Sequence, residues 1–245
     1  MKMVQGSHPS LIFIVITCLV FVLFPFSSGS KEKSEEMEGG SKMLKHVHWL
    51  GQSGIKITGD KIIYIDPFDI REGETADLIF ITHDHRDHLS EKDLKKIQGD
   101  RTIVIIPESC KNRVKGNVRG VKPGETFVLE GVQIKAVPAY NIGKPYHPKE
   151  KNYVGYVLTA GNVIYYHAGD TDRIPEMKSI QTDVAFLPVG GTFTMNPEEA
   201  AEAVRDIHPK VAVPIHWGSI VGSRQDAERF QSLCDCEVPI LEVEK

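Results

Sequence analysis

Leu78-Ile79-Phe80-Ile81-Thr82-His83-Asp84-His85-Arg86-Asp87-His88 is the stretch that decides how this chain is read. Its first four residues are an unbroken apolar run, the mark of a buried strand. The run stops at Thr82, and the next six residues hold three imidazoles and two carboxylates. A strand that ends in His-x-His-x-Asp-His presents ligand side chains from a short loop on a rigid support. One histidine alone says little, because most are structural or exposed. Three within six residues repel one another when protonated and add nothing to packing. A divalent cation accounts for them, since neutral imidazole and carboxylate are good zinc ligands. In an extended loop His83 and His85 point the same way and can share one metal. Asp87 and His88 turn to a neighbouring position and can hold a second, about 3.5–4 Å away, so that the two clamp one substrate.

Short β-like runs flank this motif. They fall at 46–50, 55–57 and 62–65 before it, and at 103–106, 126–129, 132–137, 154–158, 163–166, 184–187 and 211–215 after it. Gly59-Asp60, Glu130-Gly131 and Gly161-Asn162 punctuate them as turns. Helices are fewer. In the clearest, 197–207, Asn196 caps the free N–H groups and Pro197 suits the first helical position. Glu198 and Glu199 there face the positive end of the dipole. Residues 90–97 and 226–233 read as two more. Many strands with helices between groups predict an α/β domain, a four-layer αββα sandwich of two mixed sheets with helices on the outer faces.

The chain has 245 residues, 41% hydrophobic and 25% charged, which suits one globular domain after a leader. A net charge of -4 argues against a nucleic-acid binder that relies on a basic surface. Residues 11–26, LIFIVITCLVFVLFPF, are almost wholly apolar but short for a membrane span, which needs about 20. With Lys2 before the run and Ser28-Gly29-Ser30 after it, residues 1–30 are expected to be a signal peptide, or otherwise an uncleaved membrane anchor. Either places the domain outside the cytoplasm. Residues 31–41 are charged and Gly-ending, a solvated linker to a domain over 42–245. Cys110 bridging Cys234 or Cys236 would suit an exported protein.

The His-x-His-x-Asp-His signature after a hydrophobic strand resembles the metallo-β-lactamase superfamily. Trp49-Leu50-Gly51-Gln52-Ser53-Gly54, followed by Ile63-Tyr64-Ile65-Asp66-Pro67-Phe68, resembles the opening of its small hydrolase branch, which includes ascorbate-phosphate lactonase-like proteins. His167-Ala168-Gly169-Asp170-Thr171 is similar to the family's strand-end aspartate motif. Leu187-Pro188-Val189-Gly190-Gly191 and Pro214-Ile215-His216-Trp217 are similar to its last two motifs. The resemblance spans residues 49–217.

That resemblance implies a ligand set. His83 and His85, with a third histidine, would bind one metal; Asp87, His88 and His216 would bind the other; Asp170 would bridge them. Related sequences place the third histidine soon after the strand that here ends Val137-Pro138-Ala139-Tyr140. This chain has Asn141 there, and His147 is the next histidine, brought to the metal by a short insertion. His167 is expected to orient a ligand, and His46 and His48 to serve the core or the surface. Two divalent ions are implied, zinc foremost, with manganese(II) or iron(II) as alternatives. A hydroxide held by the zinc pair would cleave an ester, lactone, amide or phosphodiester bond of a small molecule, with Asp87 as proton acceptor. Rival readings are a di-iron oxygen-reducing protein, a nuclease or phosphodiesterase, and a non-catalytic metal-binding protein in which Asn141 marks decay of the site. The di-iron members carry Glu where this chain has His85. Tyr140, Tyr146, Phe193 and Trp217 are candidate pocket aromatics. Nucleic acid is not expected as a partner, and membrane contact only through the N-terminal segment.

Overall fold

The structure is a computed structural model that describes residues 42–244, with positions 2, 3, 6 and 40. Apart from those isolated positions, the expected leader and linker lie outside the described residues. Twelve strands form two six-stranded sheets, each with its strands in sequence order. The first holds β1 (Val47–Gly51), β2 (Gly54–Ile57), β3 (Ile63–Ile65), β4 (Leu78–Phe80), β5 (Ile103–Pro107) and β6 (Asn117–Val121). The second holds β7 (Thr126–Leu129), β8 (Val132–Pro138), β9 (Val154–Ala160), β10 (Val163–His167), β11 (Val184–Pro188) and β12 (Val211–Ile215). Both sheets are mixed. β1 to β3 pair antiparallel and β3 to β6 parallel. In the second sheet β7 to β10 pair antiparallel and β10 to β12 parallel.

Period-two alternation sorts the side chains of the first sheet. Ile63, Ile65, Leu78, Phe80 and Ile105 join the main core between the sheets. Tyr64, Ile79, Ile81, Val104 and Ile106 face the opposite way and are covered by Leu94 and Ile97 of α1 (Glu91–Ile97). The two sheets are tied where Phe80 meets Tyr156 edge-on, ring centroids 5.0 Å apart. The Tyr156 hydroxyl crosses to donate to the Ile81 carbonyl at 2.8 Å, so its burial leaves no polar group stranded. Ala200, Val204 and Ile207 of α2 (Pro197–Ile207), with Ala227 and Phe230 of α3 (Arg224–Leu233), complete the main core.

The expected caps are present. Asn196 Oδ1 accepts from Glu199 N at 2.8 Å, and Glu199 returns the bond by accepting from Asn196 N. Ser90 Oγ accepts from Asp93 N. Three expectations change. α3 starts two residues before Asp226, whose carboxylate accepts from the N–H of Ser223 and so sits at the third helical position. β6 was not expected; its sequence NVRGV carries Gly and Arg, and its side chains alternate in exposure because it lies at the sheet edge. Cys110, Cys234 and Cys236 are all free. Cys110 packs in the cluster under α1, whereas Cys234 and Cys236 pack on the main core. The first sheet therefore stands between the partners of the expected bridge.

Strand direction places the site. β1, β3 and β4 run parallel in the first sheet, and β8, β10, β11 and β12 run parallel in the second. Their carboxyl ends share one edge of the sandwich, the edge where α/β sheets collect ligands.

Candidate metal centre

The residues after those strand ends converge. Loop 82–88 follows β4, Asn141 and His147 follow β8, Asp170 follows β10, and His216 follows β12 directly. All seven expected ligands come together in three overlapping groups, each with ligand atoms within 4.8 Å of one another. His83, His85 and His147 form one; Asp87, His88 and His216 form another; His83, His88 and Asp170 form the third. Asp170 lies between the first two. Its Oδ2 is 3.4 Å from His147 Nε2 and 3.1 Å from His216 Nε2, and its Oδ1 is 3.3 Å from His88 Nε2. Asp84, like the exposed Arg86, turns away from the cluster. It accepts from the Tyr153 hydroxyl at 2.7 Å and from Arg113 at 3.1 Å, which pins the loop at its outer side.

The electrostatics are polarised. Burial, with the charge of His88 beside it, holds His83 well below the ordinary imidazole range. Burial also brings His147 down to about 4. For His88 and His216 burial acts the same way but is overcome. Asp170, Asp66 and Asp87 hold His88 well above its usual range. Asp170 and Asp87 push His216 up to about 9. Burial pushes Asp87 and Asp170 up, yet the facing His88 and His216 keep both carboxyls well below their usual range. Asp87, Asp170, His83 and His147 are thus anionic or neutral donors, whereas His88 and His216 hold protons that a cation would replace.

Divalent metal fits these residues. His88 Nε2, His216 Nε2 and Asp170 Oδ1 are buried and make no hydrogen bond, although they face one another. Stranded buried polar atoms are unfavourable by about 1–3 kcal/mol each. Three of them aimed into one cluster are accounted for by a shared ligand. A sequence model of the β-lactamase superfamily domain matches residues 46–216.

The chain belongs to the metallo-β-lactamase superfamily. Within it the chain is a metal-dependent hydrolase of the small branch. A UPF0173 metal-dependent hydrolase from Methanopyrus kandleri is 34% identical over 221 residues, 80% of this chain and 96% of the relative. One from Caldivirga maquilingensis is 32% identical over 219 residues, 82% and 94% of the two chains. The crystal structure of a candidate metal-dependent hydrolase from Parabacteroides distasonis is 33% identical, covers 81% of this chain and 93% of its own, and superposes with a TM-score of 0.72.

In this metallo-β-lactamase-fold hydrolase a layer of supporting residues explains the motifs around the ligands. Asp66 ends β3 next to β4 and is fully buried. It accepts from Thr82 N at 2.8 Å and from Thr82 Oγ1 at 2.6 Å, and its Oδ2 takes the His88 Nδ1 proton at 2.7 Å. That bond fixes the tautomer and turns His88 Nε2 inward. Gln52, at the β1–β2 turn, donates to Asp87 Oδ2 at 3.0 Å, while its carbonyl accepts from His216 N at 2.8 Å. Gln52, Asp66 and His216 all adopt left-handed backbones, with φ of 49°, 46° and 58°. Such strain in non-glycine residues persists where surrounding contacts over-determine it, which is common at functional sites. Gly190 has a packing reason: a Cβ there would lie 2.4 Å from the His216 carbonyl oxygen.

Asn141 is bonded to His147 rather than placed as a ligand. Its Oδ1 accepts from His147 N at 2.9 Å and lies 3.1 Å from His147 Nδ1. Its Nδ2 donates to Asp172 Oδ1 and to the Phe193 carbonyl, which fixes the amide orientation. Oδ1 can only accept, so Nδ1 carries the proton and His147 Nε2 is free to bind metal. Asp172 anchors the loop by accepting also from Ile142 N and Lys144 Nζ. His167 packs farther back, its Nε2 bonded to the Ser53 carbonyl, and touches no expected ligand by hydrogen bond. His48 sits at the surface with Glu244. Of the candidate aromatics, Tyr146 and Phe193 line the cleft over the cluster, with no contribution from Tyr140 or Trp217. The Tyr140 hydroxyl is bonded to Glu176, and Trp217 packs against Trp49 with the rings tilted by 32°. The sequence offered a weak sign for Asp66 and Gln52, since both lie in quoted motifs at strand ends. It offered none for the Asp172–Asn141 relay.

Proposed function

We propose that this hydrolase cleaves an ester, lactone, amide or phosphodiester bond of a small molecule, using two divalent ions, zinc foremost. The observation that carries this is Asp170, one buried carboxylate facing both histidine groups at once. His83, His85 and His147 would hold one ion, Asp87, His88 and His216 the other, with Asp170 shared. A metal pair so held supplies Lewis acidity and brings the pKa of a bound water towards about 7, from about 15.7 in bulk. The protein's own groups arrange the rest. Asp66 and Asn141 hold His88 and His147 in the ligating tautomer. Gln52 fixes one oxygen of Asp87. Because its facing imidazoles keep Asp87 ionised, it acts as an acceptor that aims the water and passes its proton on, rather than as a lasting proton store. In the net reaction the water oxygen bonds to the carbonyl carbon or phosphorus, the bond to the leaving oxygen or nitrogen breaks, and a water proton ends on the leaving group.

The test is metal-stripped protein reloaded stepwise and assayed on neutral esters, lactones, amides and phosphodiesters. Hydrolysis that returns with the second equivalent and is lost in Asp170→Asn supports the proposal. Two ions bound with no turnover of any class would refute it.

A further inference from the structure

The cleft above the cluster has a volume of about 190 Å³. Ligand pockets of drug-sized molecules run to about 300–1,000 Å³, so this one takes a small group. Its floor is the face of His85, Asp87, His147, Asp170 and His216, and its walls are Tyr146, Phe193 and Ile220. The Tyr146 and Phe193 rings meet edge-on, centroids 4.8 Å apart. Tyr146 is 42% exposed and Ile220 53%, and Ile142, in the same loop as Tyr146, is 57% exposed. Large apolar side chains left in water and gathered at the mouth of a ligand cluster mark a binding surface, whereas scattered ones do not. The Phe193 wall is also tied to the centre, because Asn141 bonds both its carbonyl and His147.

Charge is missing from these walls. Among the described residues no Lys or Arg lines the cleft. Lys144 is held by Asp172 and the Thr194 carbonyl, Lys149 by Glu176, and Arg113 by Asp84. Arg86, between His85 and Asp87, is exposed and points no atom into the cleft lining. A carboxylate or phosphate seated against Tyr146, Phe193 and Ile220 would lose water and meet no cation on these walls, only the Tyr146 hydroxyl.

We infer that the site selects substrates with an uncharged alkyl or aryl group beside the cleaved bond, seated between the Tyr146–Phe193 pair and Ile220, an inference that rests on the hydrolase reading above. The probes are alkyl hydroxamates, which chelate metal through one end and present a chosen side chain at the other. Binding to the metal-loaded protein is measured by calorimetry for the acetyl to hexanoyl series and for the succinyl compound, in which a carboxylate replaces the terminal methyl of the butanoyl one. Affinity should rise about fourfold per methylene until the cleft is full. The succinyl compound should bind about tenfold or more weaker than its butanoyl counterpart. Phe193→Ala and Ile220→Asp should flatten the series while metal content stays at the wild-type level. A flat wild-type series, or an undiminished one in both variants, overturns the inference. So does tighter succinyl binding that Arg86→Ala abolishes, which would make Arg86 an anion clamp. A steep series with no hydrolysis of any ester, lactone, amide or phosphodiester would refute the hydrolase reading and leave the apolar subsite standing; hydrolysis with a flat series would do the reverse.

Discussion

Replacing Asn141 by Ala should weaken one metal site and spare the other. The amide Oδ1 receives both the main-chain N–H and Nδ1–H of His147, at 2.9 and 3.1 Å, and both residues are buried. Removing it frees the imidazole to change tautomer and rotate. Loss of such an outer partner of a metal-binding histidine lowers affinity about 10–100-fold. That corresponds to about 1.4–2.8 kcal/mol. Two donors also lose their acceptor, a folding penalty of roughly 2–6 kcal/mol before water or relaxation offsets it. The two effects separate experimentally. Urea unfolding of the metal-free proteins reads the stability loss, and competition with a chromophoric chelator reads each ion's affinity. The expected titration is biphasic, with one ion weakened 10–100-fold and the other near its wild-type value. Two unchanged affinities would refute the relay, whatever the stability shows.

Other predictions follow from the same geometry. Asp66→Asn removes the carboxylate that takes the His88 Nδ1 proton, so the ion held by Asp87, His88 and His216 should weaken about 10–100-fold in the same chelator competition. Gly190→Ala puts a Cβ 2.4 Å from the His216 carbonyl and 2.9 Å from Val221, so unfolding free energy should fall by about 1–3 kcal/mol, with His216 displaced and metal content reduced. Metal uptake should be coupled to protons. In the metal-free protein Asp170 and its neighbours hold His88 above its usual range and His216 at about 9, so both are protonated at neutral pH, while His147, near 4, is not. A metal must displace those protons. Affinity should therefore rise with pH through the His216 value of about 9, with protons released on binding at neutral pH. Calorimetry in buffers of unlike ionisation enthalpy reads that release; heats independent of buffer would contradict it.

The centre was legible in the sequence where its chemistry is local. Three histidines in six residues have no packing explanation, and Asp170 and His216 each follow an apolar run that can only be a buried strand. The loop after β8 was harder, because Asn141 and His147 occupy one window and spacing alone does not say which reaches the metal. The structure places both there, His147 within a group that could hold a metal and Asn141 bonded to it. Asp66 and Gln52 showed only weakly, as strand-end residues within the motifs, and Asp172 not at all, since their partners lie far along the chain and only the parallel strand ends bring them together. β6 escaped because an edge strand with one wet face needs little apolar character. The expected disulfide failed because residue spacing carries no record of which side of a sheet a thiol packs on.

The central claim is that the cluster holds two ions across Asp170. Anomalous diffraction from crystals of the purified protein, recorded at the zinc, iron and manganese edges, tests it most directly. The account predicts two peaks about 3.5–4 Å apart, one beside His83, His85 and His147 and one beside Asp87, His88 and His216, with Asp170 between them. A single peak, or metal bound elsewhere with this cluster empty, would contradict it.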